Sequence, residues 1–172
     1  MKAAYWMAAI LLFCLVSPLQ AAVYLIWFGA PEELYIRVGA VSGITTVIHA
    51  VPAASIGDGT PITGAPNQVF IEAWARQSNF WGALTRRFIV TADSSTPMTN
   101  GTDTIPFDEI SWTSQDGSIP DGRFNGTSSQ IILGQTLALF GVNDQLTFVY
   151  DNTRLVPAGT YAGSVTYTVS IP

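Results

Sequence analysis

From Tyr161 to Ile171 the chain alternates without a slip. Tyr161, Gly163, Val165, Tyr167, Val169 and Ile171 fall on one side, and Thr160, Ala162, Ser164, Thr166, Thr168 and Ser170 on the other. Successive side chains of a strand point to opposite faces, so this period of two specifies a strand with one face for a core and one for water. A slip of one residue would exchange the faces, which fixes the register. The same period recurs upstream. Leu146, Phe148 and Tyr150 line one face of a strand that Asp151-Asn152-Thr153 turns, and Pro157-Ala158-Gly159 then opens the last strand. Val69, Ile71, Ala73 and Ala75 alternate with Phe70, Glu72, Trp74 and Arg76; with a turn near Asn79 and a strand over 86–91, they read as a hairpin. Leu34, Ile36 and Val38 alternate with Tyr35 and Arg37, and Val47, His49 and Val51 with Thr46, Ile48 and Ala50, which gives two early strands. A short strand is expected over 107–112. Residues 128–140 read as two strand halves around Gly134, with a short helix as the alternative. Turn formers over 55–61 and a Ser, Thr, Asp, Gly and Pro-rich stretch over 93–125 supply loops. Seven or more short strands separated by such clusters predict an all-β chain, an immunoglobulin-like β-sandwich.

The beginning of the chain follows a different rule. Met1-Lys2 carries a positive charge, residues 3–16 are uncharged and apolar, and Ser17-Pro18 breaks the run ahead of the small residues Ala21 and Ala22. That is the layout of a signal peptide over 1–21, with cleavage after Ala21 and export as the consequence. The competing reading is an uncleaved anchor, because 3–30 hold no charged side chain and about 20 apolar residues span a bilayer. Pro18 and Gln20 interrupt that run, and Val23-Tyr24-Leu25-Ile26-Trp27-Phe28 is richer in strand-forming types than in helix formers. The organisation expected is therefore a leader over 1–21, an N-terminal extension over 22–30 and one sandwich domain over 31–172.

Removing the leader removes Cys14, the only cysteine, and Lys2, the only lysine. An exported chain without disulfides must hold together by core burial, strand pairing or assembly, and without lysine no lysine-dependent isopeptide bond can form. Six arginines then face twelve acidic groups, a net charge of −6. Nucleic-acid affinity rests largely on counterions released by basic patches, so this balance argues against such a partner.

The segments Leu146-Thr147-Phe148-Val149-Tyr150, Val156-Pro157-Ala158-Gly159-Thr160-Tyr161, Gly163 and Val165-Thr166-Tyr167-Thr168-Val169 resemble the closing strands of exported β-sandwich subunits of bacterial chaperone–usher pili and of spore-coat-U-like domains. The resemblance covers roughly the last thirty residues. It implies an incomplete sandwich whose groove is filled first by a periplasmic chaperone and then, after passage through an outer-membrane usher, by the N-terminal extension of another subunit. On that reading Val23, Tyr24, Leu25, Ile26, Trp27 and Phe28 form the donor strand, presenting either Val23, Leu25 and Trp27 or Tyr24, Ile26 and Phe28. Tyr161, Val165, Tyr167, Val169 and Ile171 form the strand beside the groove. The chain departs from many pilins in lacking a mature cysteine pair and in ending Ser170-Ile171-Pro172. The plain alternative makes 22–28 the first strand of the chain's own sandwich.

Catalytic chemistry finds little footing. His49 is the only histidine and shares a face with Val47 and Val51, so it reads as a packing residue, with no second histidine to complete a zinc site or a triad. Asp108 and Glu109 would point to opposite faces of a strand, and Asp116-Gly117 and Asp121-Gly122 read as turns. Asn100-Gly101-Thr102 and Asn125-Gly126-Thr127 likewise read as Asn-Gly turns. Trp74, Phe80 and Trp81 mark the place for a ligand patch, since aromatics near a hairpin loop are less expected to be exposed. Neither cofactor nor metal is expected. The function expected is a structural subunit of a noncovalent surface fibre or coat, located at the cell surface after transit through the periplasm; the alternative is a monomeric secreted binding domain, carbohydrate-directed.

Overall fold

A computed structural model describes residues 27–28, 32–39, 45–76, 87–137 and 141–172. Among them the chain forms strands β1 (Trp27–Phe28), β2 (Glu32–Val38), β3 (Ile62–Thr63), β4 (Val69–Arg76), β5 (Arg87–Asp93), β6 (Met98–Asn100), β7 (Asp103–Ile105), β8 (Ile110–Ser114), β9 (Gly122–Arg123), β10 (Gln130–Leu137), β11 (Val142–Tyr150) and β12 (Thr166–Ser170). The larger sheet runs β1-β2-β4-β11-β8-β9, with β3 pairing the end of β11, and the smaller runs β10-β5-β12. Strands β6 and β7 form a separate hairpin, and every pairing is antiparallel.

Alternation decides which faces meet. Ile71 and Ala73 of β4, Leu146 and Phe148 of β11, and Ile110 and Trp112 of β8 point inward from the larger sheet; Phe88, Val90 and Ala92 of β5 and Val169 of β12 point inward from the smaller. They share one core, so the two sheets stack as a β-sandwich. Full burial of a side chain such as Phe88 or Ile71 contributes roughly 1.5–3 kcal/mol over leaving it in water. Phe124 sits at the centre of an aromatic cluster, 4.9 Å from the Trp112 ring, 5.9 Å from Phe107 and stacked at 6.0 Å on Phe148. The Trp112 indole N–H donates to the Pro120 carbonyl at 2.9 Å, so the largest core side chain leaves no polar atom unpaired.

Four expectations need correcting. Strands β4 and β5 are not a hairpin: β4 pairs with β2 and β11, β5 with β10 and β12, and consecutive strands lie in opposite sheets. Each has an apolar face to bury, and placing them in opposite layers brings those faces into one core. The segment from Val47 to Val51 keeps its alternation, with Val47 and His49 partly covered and Thr46, Ile48 and Ala50 exposed, but its only ladder contact is the bridge between Ile48 and Ala65. Phe107–Glu109 is a 3-10 turn, and the strand begins at Ile110. The last strand is shorter than its pattern: Tyr161, Gly163 and Val165 lie before β12, and the bridge of Ala162 to Thr99 carries this stretch along the β6–β7 hairpin. A Cβ on Gly159 would collide with the Asn100 amide and one on Gly163 would stand 2.8 Å from Met98 Cγ, so the two glycines permit that close approach. Residues 128–140 resolve in favour of a strand over the described positions, since β10 pairs with β5 through two register shifts, and the exposed Gly134 lies within the second.

Candidate functional site

Hydrogen-bonding capacity left open at a sheet edge is the site that such a molecule offers a partner. Among the described residues the strand orders of the two sheets end at β1, β9, β10 and β12. Strand β10 is bent by its two register shifts, β9 is two residues long and carries Arg123, β1 is two residues long, and the stretch of β2 beyond it, Leu34–Val38, carries Arg37. Bulges, short length and charge are the usual means of making an edge a poor template. Strand β12 has none of them: its ladder with β5 is regular from Thr166↔Asp93 to Ser170↔Ile89, and it holds no charged residue or proline. It lies close to β2, with no ladder between them.

The residues expected along this edge are found against the core. Val169 is buried, and Tyr161, Val165, Tyr167 and Ile171 are partly buried and pack on it. Burial pushes the Tyr167 phenol above its ordinary pKa, which keeps it neutral. The space between Trp112, Phe124, Ile132, Leu146 and Tyr167 is too tight for a water molecule, so the sandwich interior beside this edge is filled.

Of the expected donor strand, Val23, Tyr24, Leu25 and Ile26 lie outside the described residues. Trp27 and Phe28 pair with the chain's own β2, Trp27 opposite Glu33 and Phe28 opposite Glu32. Of the expected ligand patch, Phe80 and Trp81 also lie outside the described residues. Trp74 stands on the outer face of β4, half-buried, and its ring stacks on Tyr35 at 5.1 Å with 15° between the planes. The Arg76 guanidinium lies 5.8 Å from the Trp74 ring. Beside them Arg37 pairs with Glu72 at 3.0 Å and covers Phe70 at 4.7 Å. These aromatics spend faces on one another and on arginines, which leaves less flat surface for a sugar than their number suggests.

Three buried polar side chains that the alternation pattern hides hold the loops at the ends of the sandwich. Asp144, 1% exposed, faces inward from β11. Its Oδ2 accepts from Ser114 Oγ at 2.6 Å and Ile119 N at 2.8 Å, and its Oδ1 from Gln145 N at 2.7 Å and Asp116 N at 3.2 Å. Burial pushes its pKa up, but these hydrogen bonds together outweigh it and hold the carboxyl below its ordinary value. Asn152, 1% exposed at φ 54°, donates to Ser55 O and Asp58 Oδ1 and accepts from Gly57 N, tying 55–58 to the end of β11. Glu109 accepts from Thr153 Oγ1 at 2.7 Å and Arg154 Nε at 2.9 Å.

No family model, no curated protein and no solved structure matches this chain.

The remaining chemistry stays with the loops. Among the described residues no three His, Cys, Asp or Glu side chains cluster with the spacing of a metal site. His49 donates its Nδ1–H to the Ile62 carbonyl at 2.9 Å and meets the edge of Tyr150, and burial lowers its pKa against the opposing pull of that hydrogen bond. Among the described residues no helix is long and apolar enough to cross a membrane. The hydrogen bonds of Glu109 and His49 fix loops at the end of the sandwich.

Proposed function

We propose that this chain is a structural subunit of a noncovalent bacterial surface fibre or coat, pilus-like in its assembly, in which a strand from a neighbouring subunit adds to the sandwich. The single observation that supports this reading is the contrast among the sheet borders: among the described residues β12 is regular, uncharged and unpaired on one side, while β10 is bulged, β9 and β1 are short and the rest of the β2 edge carries Arg37. An added strand gains main-chain hydrogen bonds along such an edge, and alternate side chains give specificity. The apolar run Val23–Phe28 supplies a strand of the right type, and the absence of cysteine and lysine after residue 21 leaves noncovalent pairing as the means of joining. A periplasmic chaperone would cover the edge in transit, and an outer-membrane usher would deliver the subunit.

The test is to express the chain with and without residues 22–28 alongside a chaperone and usher. Fibres are followed by electron microscopy and the amides of 166–170 by hydrogen exchange. The full chain is expected to form fibres in which those amides slow, and the deleted chain to fold with the chaperone yet form none. A full chain that stays monomeric at every concentration, with unchanged exchange in β12, would refute the proposal. The pairing of Trp27–Phe28 with the chain's own β2 favours a second reading, a self-closed secreted binding domain; in that case the deletion unfolds the monomer.

A further inference from the structure

The tripeptide Asn-Gly-Thr occurs twice, at 100–102 and at 125–127. The glycine side of the two sites is alike: Gly101 and Gly126 are exposed at φ 61° and 69°, and nothing stands within 4 Å of where a Cβ would be. The asparagines differ. Asn100 ends β6 opposite Asp103, half-buried, with a side-chain hydrogen bond to Tyr161 and an amide packed so closely on Gly159 that a Cβ there would collide with it. Asn125 is exposed in the loop between β9 and β10, and its Oδ1 accepts twice from one residue, from Thr127 N at 3.1 Å and from Thr127 Oγ1 at 2.7 Å. Two donors on a carbonyl oxygen draw electron density from its carbon and stabilise the negative charge that grows on the oxygen when a nucleophile adds.

We infer that Asn125–Gly126 is a site of self-catalysed deamidation, and that the fold holds Asn100–Gly101 back from the same reaction. The Gly126 backbone nitrogen gives its proton to solvent hydroxide and bonds to Asn125 Cγ, with Thr127 stabilising the oxyanion at Oδ1. The Cγ–Nδ2 bond then breaks, Nδ2 takes a proton from water and leaves as ammonia, and a succinimide ring is closed. Water adds to one of the two ring carbonyls and opens the ring to aspartate or to isoaspartate. At the other site the carboxamide must first leave Tyr161 and Gly159, and ring closure must turn the backbone of a residue paired in the β6–β7 ladder. Either product at 125 adds a negative charge between β9 and β10. Isoaspartate also lengthens the main chain by a methylene, in a loop that Gln130 braces through Asn125 N and Arg123 O and that Ser94 N ties at Thr127 O. The reaction is the same whether the chain assembles or stays monomeric.

Because both sites read Asn-Gly-Thr, each is the other's control for local sequence. The folded chain is incubated in mildly alkaline buffer, and digestion with mass spectrometry follows the aspartyl and isoaspartyl products at each position. Asn125 is expected to convert at least about tenfold faster than Asn100 in the folded chain, the difference that one or two hydrogen bonds make to a barrier. In urea the two sites are expected to convert at like rates, which places the difference in the fold. Thr127→Val removes the hydroxyl donor and is expected to slow Asn125 at least about threefold, the loss of one ordinary hydrogen bond, whereas Thr127→Ser keeps the donor and the rate. Equal rates at the two sites in the folded chain, a difference that persists unchanged in urea, or a rate at Asn125 that Thr127→Val leaves untouched would each overturn the inference. So would aspartate at 125 without isoaspartate, since direct hydrolysis of the amide passes through no ring. The comparison of folded chain with urea needs no variant, so it decides the matter even if a substitution at Thr127 disturbs folding.

Discussion

Replacing Asp144 by asparagine probes how the sandwich holds the loop over 115–119. The carboxylate is 1% exposed and accepts four hydrogen bonds, two at each oxygen. Asparagine offers one oxygen, so whichever way it turns, two donors meet an amide NH2. The less damaging orientation puts the NH2 where Oδ2 was, because the Ser114 hydroxyl can rotate to accept while Ile119 N–H loses its acceptor. One orphaned buried N–H costs about 1–3 kcal/mol, and the other bonds weaken as their acceptor loses its charge. The expected loss is therefore about 2–4 kcal/mol, or a Tm lower by roughly 5–15 °C for a domain of this size. Urea unfolding measures it, with Trp112 fluorescence as a local reporter through the indole's bond to Pro120. The pH dependence supplies the sign. The folded carboxyl titrates below its unfolded value, so its contribution is complete above the ordinary Asp range and is lost as pH falls through the folded value. The gap between native chain and variant should hold from neutrality to about pH 5 and shrink below about pH 4. A loss under about 0.5 kcal/mol, or a gap that widens with acid, would refute the assignment of these hydrogen bonds as stabilising.

Asn152→Ala should cost about 2–4 kcal/mol, since it removes three side-chain hydrogen bonds and forces alanine into positive φ; Asn152→Gly relieves only the backbone part, and proteolysis of 53–59 should accelerate in both. His49 titrates below the ordinary histidine value, so its neutral form is favoured in the fold. Its contribution is complete above the unfolded pKa of about 6.5 and falls away as pH drops through the lower folded value. An NMR titration should find that lower midpoint, and His49→Gln should flatten the stability profile in mild acid.

Strands with one wet and one dry face were legible because alternation reports burial directly: Val69–Arg76 and Leu146–Tyr150 fold as the pattern requires. Alternation does not say which sheet a strand joins, so β4 and β5, adjacent in sequence, were read as partners when they lie in opposite layers. Nor does it distinguish a strand from an extended segment that packs one side without pairing, as at Val47, His49 and Val51. At the candidate site, the apolar spacing of Val165, Tyr167, Val169 and Ile171 was readable, and their packing on the core follows it. That β10 makes a poor border depends on its register shifts, and Gly134 was the only hint of them. Asp144 was invisible for a plainer reason: an acidic residue on the inward face breaks the pattern unless the loop that satisfies it is known.

The kinks in β10 set a limit on how copies can meet. Two molecules joined along β12 would present only β10 at the outer margins of the combined layer, and a bent margin refuses a third. On the assembly proposed above, lateral ribbon growth would stop at a pair.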